Sequence, residues 1–130
     1  ALLFEWEKYT KPVKAFLNSF MAKNKDLKKH SKDDLTAIFS NTVRVIHDFL
    51  GQKAFRLKAQ PTAALIDAVM VGVSKRLQKG VIAKKASLNS AFSELLKDVE
   101  FVTAITTSTS DEENVKRRIR KAIDVFSNVE

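Results

Sequence analysis

The residues able to do chemistry in this chain are few, and most stand alone. His30 and His47 are the only histidines, and cysteine is absent, so neither a thiolate site nor a His-rich metal site can be assembled. His30 falls in a lysine-rich stretch and His47 off the apolar stripe of its helix, and both read as surface residues. Asp111, Glu112 and Glu113 offer three consecutive carboxylates. Their position ahead of a helical pattern favours complementing the positive helix end over holding a metal. Asp67 sits in the most apolar stretch of the sequence, where an unpaired charge is costly. Two readings compete: a carboxylate paired with Arg56 or Arg118, or a perturbed acid in a cleft. The pairing is the expected one, with Asp67→Ala then costing about 3 kcal/mol by stranding a buried arginine. The run Lys116-Arg117-Arg118-Ile119-Arg120-Lys121 is the densest basic cluster. On a helical wheel Arg117, Arg120 and Lys121 point outward as candidate phosphate contacts, and Arg118 lies at the apolar edge. Glu112, Glu113 and Asp124 stand at helical pairing distance from them, so a solvated face is the competing reading. No aromatic residue interleaves with the cluster, which argues against a platform for stacking single-stranded bases. A phosphate loop, a GxGxxG fingerprint and a His-Glu-x-x-His helix are all missing.

The elements that position these residues are helical almost throughout. Residues 2–24 read as helix, broken near Lys11 because Pro12 lacks an N–H. A charged loop over 23–32 leads to Ser31 and Asp34, a variant capping box, and a helix to Leu50 stopped by Gly51. Residues 52–60 read as a connection with Phe55 tucked inward. Pro61 suits the first position of the next helix, which runs to about Lys79 before Gly80. That helix is apolar on two faces: Leu65, Ile66, Val69, Met70, Val73 and Leu77 on one, Ala64, Ala68, Val71 and Gly72 on the other. A helix apolar on both sides belongs between neighbours, so 61–79 is the expected central helix. Ser87, Asp98 and Ser110 are the expected caps of three further helices. The fold expected is all-α: a compact bundle of five to seven helices around a central buried helix, with no sheet.

The 130 residues suit a single helical domain, 1–130, with 45% apolar content and nine Phe for one core. Five Gly and Pro together are too few for a sandwich or barrel of short strands. No apolar run reaches the length of a membrane span, no signal segment opens the chain, and no membrane partner is expected. Without cysteine, a cytoplasmic setting is the expectation. The opening Ala1-Leu2-Leu3-Phe4, without an initiator Met, reads as a fragment cut from a larger multidomain protein. The net charge of +8 is uneven: residues 1–30 hold seven lysines against three acids, and residues 91–130 hold six basic against eight acidic residues. Such a balance admits an anionic partner, DNA included. A homodimer through an exposed aromatic N-terminal helix, with Phe4, Trp6 and Tyr9, is a further expectation to test.

Three segments taken together carry a resemblance. They are Gly51-Gln52-Lys53-Ala54-Phe55-Arg56, then Thr62-Ala63-Ala64-Leu65-Ile66-Asp67-Ala68, then Val99-Glu100-Phe101-Val102-Thr103-Ala104-Ile105 running on to Val115-Lys116-Arg117-Arg118-Ile119. Their order and spacing, over roughly 35–126, resemble the helical C-terminal part of the GmrSD-type restriction family of ParB-like nuclease and nucleotidase domains. The family's Asn at the helix start is matched by Pro61 or Thr62, and its Gly-Thr loop by Ser108-Thr109. The resemblance implies a defence role in a nucleotide-dependent enzyme that restricts modified foreign DNA, often paired with an HNH nuclease domain. The family's Asp-Gly-Gln-Gln-Arg motif belongs to an upstream domain and does not occur in this sequence. The resemblance therefore implies no catalytic residue, cofactor or metal here. It implies a non-catalytic accessory or scaffold domain packing on an upstream catalytic domain, with Arg56, Asp67 and Arg118 as a structural polar network. The alternatives kept beside it are an autonomous basic nucleic-acid-binding module and a protein-interaction or dimerisation module.

Overall fold

The computed structural model describes residues 1–58 and 60–130. Its order is α1 (Leu2–Glu5), a 3-10 turn (Trp6–Lys8), α2 (Val13–Asn24), α3 (Lys32–Leu50) and a second 3-10 turn (Gly51–Phe55). A short ribbon of β1 (Arg56–Leu57) and β2 (Gln60–Pro61) follows. Then come α4 (Ala63–Leu77), α5 (Lys85–Lys97), α6 (Val99–Thr106) and α7 (Glu112–Ser127). The molecule is an all-α bundle, and α4 is its buried centre: Ala64, Leu65 and every residue from Ala68 to Ser74 are buried.

Local chemistry accounts for the main boundaries. Pro12 precedes α2 in extended backbone, splitting the expected 2–24 helix as its missing N–H requires. Ser31 Oγ accepts from Asp34 N at 3.0 Å, and Gly51 leaves α3 at φ 66°, a conformation that favours glycine. Asp98 caps α6 by accepting from Phe101 N at 3.0 Å. At three other starts the structure differs from the sequence reading. Pro61 lies in β2 opposite Arg56, and Thr62 precedes the helix, so a two-stranded ribbon stands where no sheet was expected. Helix α5 begins at Lys85, so Ser87 lies inside it and its Oγ accepts from Glu130 N instead. Asp111, not Ser110, precedes α7, and the Ser110 carbonyl accepts from the Tyr9 hydroxyl at 2.7 Å.

The main core joins the C-terminal half of α3 to α4, α5, α6 and α7, with Ile46, Leu65, Leu88, Leu95, Phe101 and Phe126 fully or almost fully buried. Phe55 packs against it, half-buried. Gly72 marks the closest approach of α4 to α7. A Cβ there would stand 2.6 Å from the Phe126 ring and 3.0 Å from the backbone of Ala122. A second cluster lies on the other side of α4. It holds Trp6, Tyr9, Phe16, Val71, Val115 and Ile119. Trp6 and Tyr9 are thus core residues, contrary to the expectation of an exposed aromatic N-terminal face.

Candidate functional site

The polar centre of the molecule is Arg118, 3% exposed on α7. A buried guanidinium must find acceptors. Its Nη1 donates to the carbonyls of Thr109 at 2.6 Å and Ala104 at 3.4 Å, and its Nη2 lies 3.6 Å from Asp67 Oδ2. Nε is buried without a partner. Arg118 thereby ties the end of α6 and the 107–111 loop to α4. Asp67 keeps 37% of its side chain exposed. Burial pushes its carboxyl above the usual Asp value, opposed by the neighbouring guanidinium, and burial lowers the pKa of Arg118, opposed by Asp67. Of the three residues expected in this network, the structure brings together two. Arg56 stands exposed on β1 across from Pro61, with no carboxylate at ion-pair distance among the described residues.

Beside this pair an open cleft of about 170 Å³ runs between α2, the start of α4 and the start of α7. Leu2, Val13, Phe16, Leu17, Ala63, Ala64 and Val115 supply apolar wall, and Tyr9, Asp67, Thr109, Ser110 and Arg118 supply polar groups. It is an apolar seat with one polar end, the general form of a recognition pocket. Sequence periodicity gave no sign of it, because its wall comes from three segments far apart in the chain.

The outer face of α7 carries a shallower groove of about 430 Å³, lined by Lys116, Arg117, Arg120 and Lys121 together with Glu112, Glu113 and Asp124. The structure divides the three candidate phosphate contacts. Lys121 Nζ bonds Asp98 Oδ2 at 2.8 Å and Glu100 Oε2 at 2.6 Å, which neutralises it. The same bond to Lys121 is the main reason that the Asp98 carboxyl is held below its usual range. Arg117 lies 3.9 Å from Glu113. Arg120 is exposed with no carboxylate at ion-pair distance among the described residues. Mixed signs and a pinned lysine make this face a weak electrostatic footprint for a polyanion.

The remaining titratable groups have local roles. Lys11 donates from its backbone N to Glu112 at 2.9 Å and from Nζ to Asp111 at 3.0 Å, so two carboxylates of the acidic run fasten the segment before α2 to the start of α7. His47 neighbours Asp48 at 3.1 Å, and His30 lies against the Phe4 ring at 5.6 Å. Glu5 is buried and pairs with Lys8 and Lys29. Among the described residues no three His, Asp or Glu side chains converge to hold a metal. No helix formed by the described residues is long and apolar enough to cross a membrane. Comparison of the chain with protein-family models, with curated proteins and with solved structures finds no match.

Proposed function

We propose that this chain is a non-catalytic accessory domain of a GmrSD-like restriction protein, acting in the cytoplasm, that packs on an upstream nuclease or nucleotidase domain. The reading rests on the three ordered segments that resemble the family, and on what their side chains do here. Phe101, Val115 and Arg118 are buried, Phe55 packs on the core, and Asp67 pairs with Arg118. Positions with those tasks hold helices together and leave the chemistry to another domain. The parent protein, on this reading, is a nucleotide-dependent nuclease directed at foreign DNA.

The test has two arms. The purified chain is incubated with nucleoside triphosphates and divalent metal, and separately with plain and base-modified duplex DNA. The expected result is no turnover above buffer. Metal-dependent turnover by the chain alone, retained through successive purification steps, overturns the proposal. In the second arm, the chain is mixed with a separately expressed catalytic domain carrying the Asp-Gly-Gln-Gln-Arg motif. Co-elution as one complex is expected, and elution as two independent species counts against the scaffold role.

A further inference from the structure

We propose that the outer face of α2 is a docking surface for an acidic, amphipathic helical segment of a partner protein. The inference rests on the scaffold reading only in taking a protein as the occupant. Helix α2 is held to the body by one side. Phe16 meets the Tyr9 ring edge-on at 5.2 Å and Phe20 stacks on Phe4 at 6.3 Å, while Asn24 is buried and its amide donates back within the helix to the Phe20 carbonyl at 2.8 Å. The edge beside these anchors is uncovered. Val13, Leu17 and Met21 are 39%, 42% and 60% exposed. Spaced four residues apart, they form one line along the helix. Val13 and Leu17 also form one wall of the 170 Å³ apolar cleft, which is open beside that line. A helix laid along α2 would set one anchoring side chain into this seat, the usual form of helix-in-groove recognition.

The rim fixes the sign of the occupant. From Lys11 to Lys32 the chain holds seven lysines and one aspartate, Asp26. Lys11 is taken by Asp111 and Lys29 by Glu5. Lys14 and Lys25, which adjoin Val13 and Met21 along the helix, have no carboxylate at ion-pair distance among the described residues, nor do Lys23, Lys28 and Lys32 nearby in the chain. An apolar centre with an unneutralised basic rim selects an apolar ridge flanked by Asp and Glu. A second copy of the same face would set lysine against lysine, which opposes a symmetric self-pairing. A nucleic-acid backbone would use the lysines but leave the apolar line and cleft unfilled. The aromatics of α2, Phe16 and Phe20, are turned inward, away from any base.

The test selects binders to the full chain from a phage-displayed library of helical peptides of about 16 residues. The expected winners carry Leu, Ile or Phe at helical spacing bordered by Asp and Glu, and bind more weakly as salt rises. Affinity falls at least about tenfold for Leu17→Glu with Met21→Glu, and for Lys14→Glu with Lys25→Glu. All four positions are exposed, and an unchanged thermal melt by circular dichroism shows that the fold survives. Neutral or basic winners, or winners indifferent to both sets, overturn the proposal. So does tight binding of a 20-base-pair duplex lost in the lysine set alone. The catalytic-domain arm separates this inference from the scaffold reading. Docking of that domain untouched by Leu17→Glu with Met21→Glu, with no acidic winners from the library, removes the surface and keeps the scaffold. Acidic peptides lost on those substitutions, with no docking of the catalytic domain, keep the surface and remove the scaffold.

Discussion

Arg118 and Asp67 form an ion pair in which the two partners differ in what they stand to lose. Arg118→Met keeps the aliphatic stem and its packing but removes every donor. It strands the Thr109 and Ala104 carbonyls and leaves Asp67 without its cation. An under-satisfied carbonyl costs about 1–3 kcal/mol when shielded from water, and breaking a buried pair about 3–5 kcal/mol. Thr109 is exposed and Asp67 is 37% exposed, so water recovers part of this. A net loss of about 3 kcal/mol is expected, near the low end of that range. Asp67→Asn is the opposite case. The carboxylate is 3.6 Å from Nη2, solvent reaches it, and Arg118 keeps both carbonyl acceptors without it, so the loss is under about 1 kcal/mol. This replaces the roughly 3 kcal/mol expected from the sequence for loss of Asp67. The pH dependence has a definite sign. The Asp67 pKa is raised in the folded state by burial, so the folded state favours the protonated carboxyl. Its contribution to stability is complete below the usual Asp value and is lost as pH rises through the folded value. Wild type therefore gains on Asp67→Asn as the solution is acidified through that range. Urea unfolding followed by circular dichroism measures each quantity, with an unchanged m-value as the check on two-state behaviour. Equal losses in the two variants, or a larger loss in Asp67→Asn, would refute the assignment of Arg118 as the hub.

Gly72→Ala adds a methyl group against Phe126 and the Ala122 backbone; the overpacking outweighs the roughly 1 kcal/mol helix-propensity gain and leaves a net loss of about 1–2 kcal/mol. Urea midpoints read this, and a variant more stable than wild type would show that α4 and α7 have slack at the crossing. Asp98→Ala removes the α6 cap for about 1 kcal/mol. Because the Asp98 pKa is depressed by Lys121, this contribution is present above the usual Asp value and lost as pH falls through the folded value. The gap between wild type and Asp98→Ala should close in acid, and a gap constant with pH would sink the argument. Tyr9→Phe leaves the Ser110 carbonyl without its 2.7 Å donor, for a loss of about 1 kcal/mol in the same assay; a melt indistinguishable from wild type would mean that water replaces the hydroxyl.

Much of the helical frame is legible in the sequence because its signals are local. Ser31, Gly51 and Asp98 act within a few residues of where they stand, and the double-faced apolar pattern of 61–79 identifies α4 without reference to any partner. The starts at Pro61, Ser87 and Ser110 are displaced because tertiary structure claims those residues for other tasks. Pro61 faces Arg56 in a ribbon whose turn passes through Lys58 at φ 49°, with no glycine to announce it. Ser87 holds the chain end, and the Ser110 carbonyl serves Tyr9. The same limit applies to the basic cluster. The wheel puts Arg118 at the apolar edge, where the structure buries it, but the neutralisation of Lys121 depends on Asp98 and Glu100, before and on a different helix. The exposed line on α2 is invisible as such. Val13, Leu17 and Met21 have the spacing of core residues, and only the packing of Phe16 and Phe20 shows which edge the body covers.

The tight crossing of α4 and α7 has a consequence for the order in which the protein can take shape during synthesis. The central helix is complete at Leu77, while the helix that covers its small-residue face ends at Ser127, 50 residues later. At ribosomal speeds of about 5–20 residues per second, that face stands open for about 3–10 s. Val71 and Gly72 wait in water during that interval, in the most apolar segment of the chain. Burial of that face must wait until α7 has been made. Codon usage between α4 and α7, which changes neither the sequence nor the final structure, sets how long that exposure lasts.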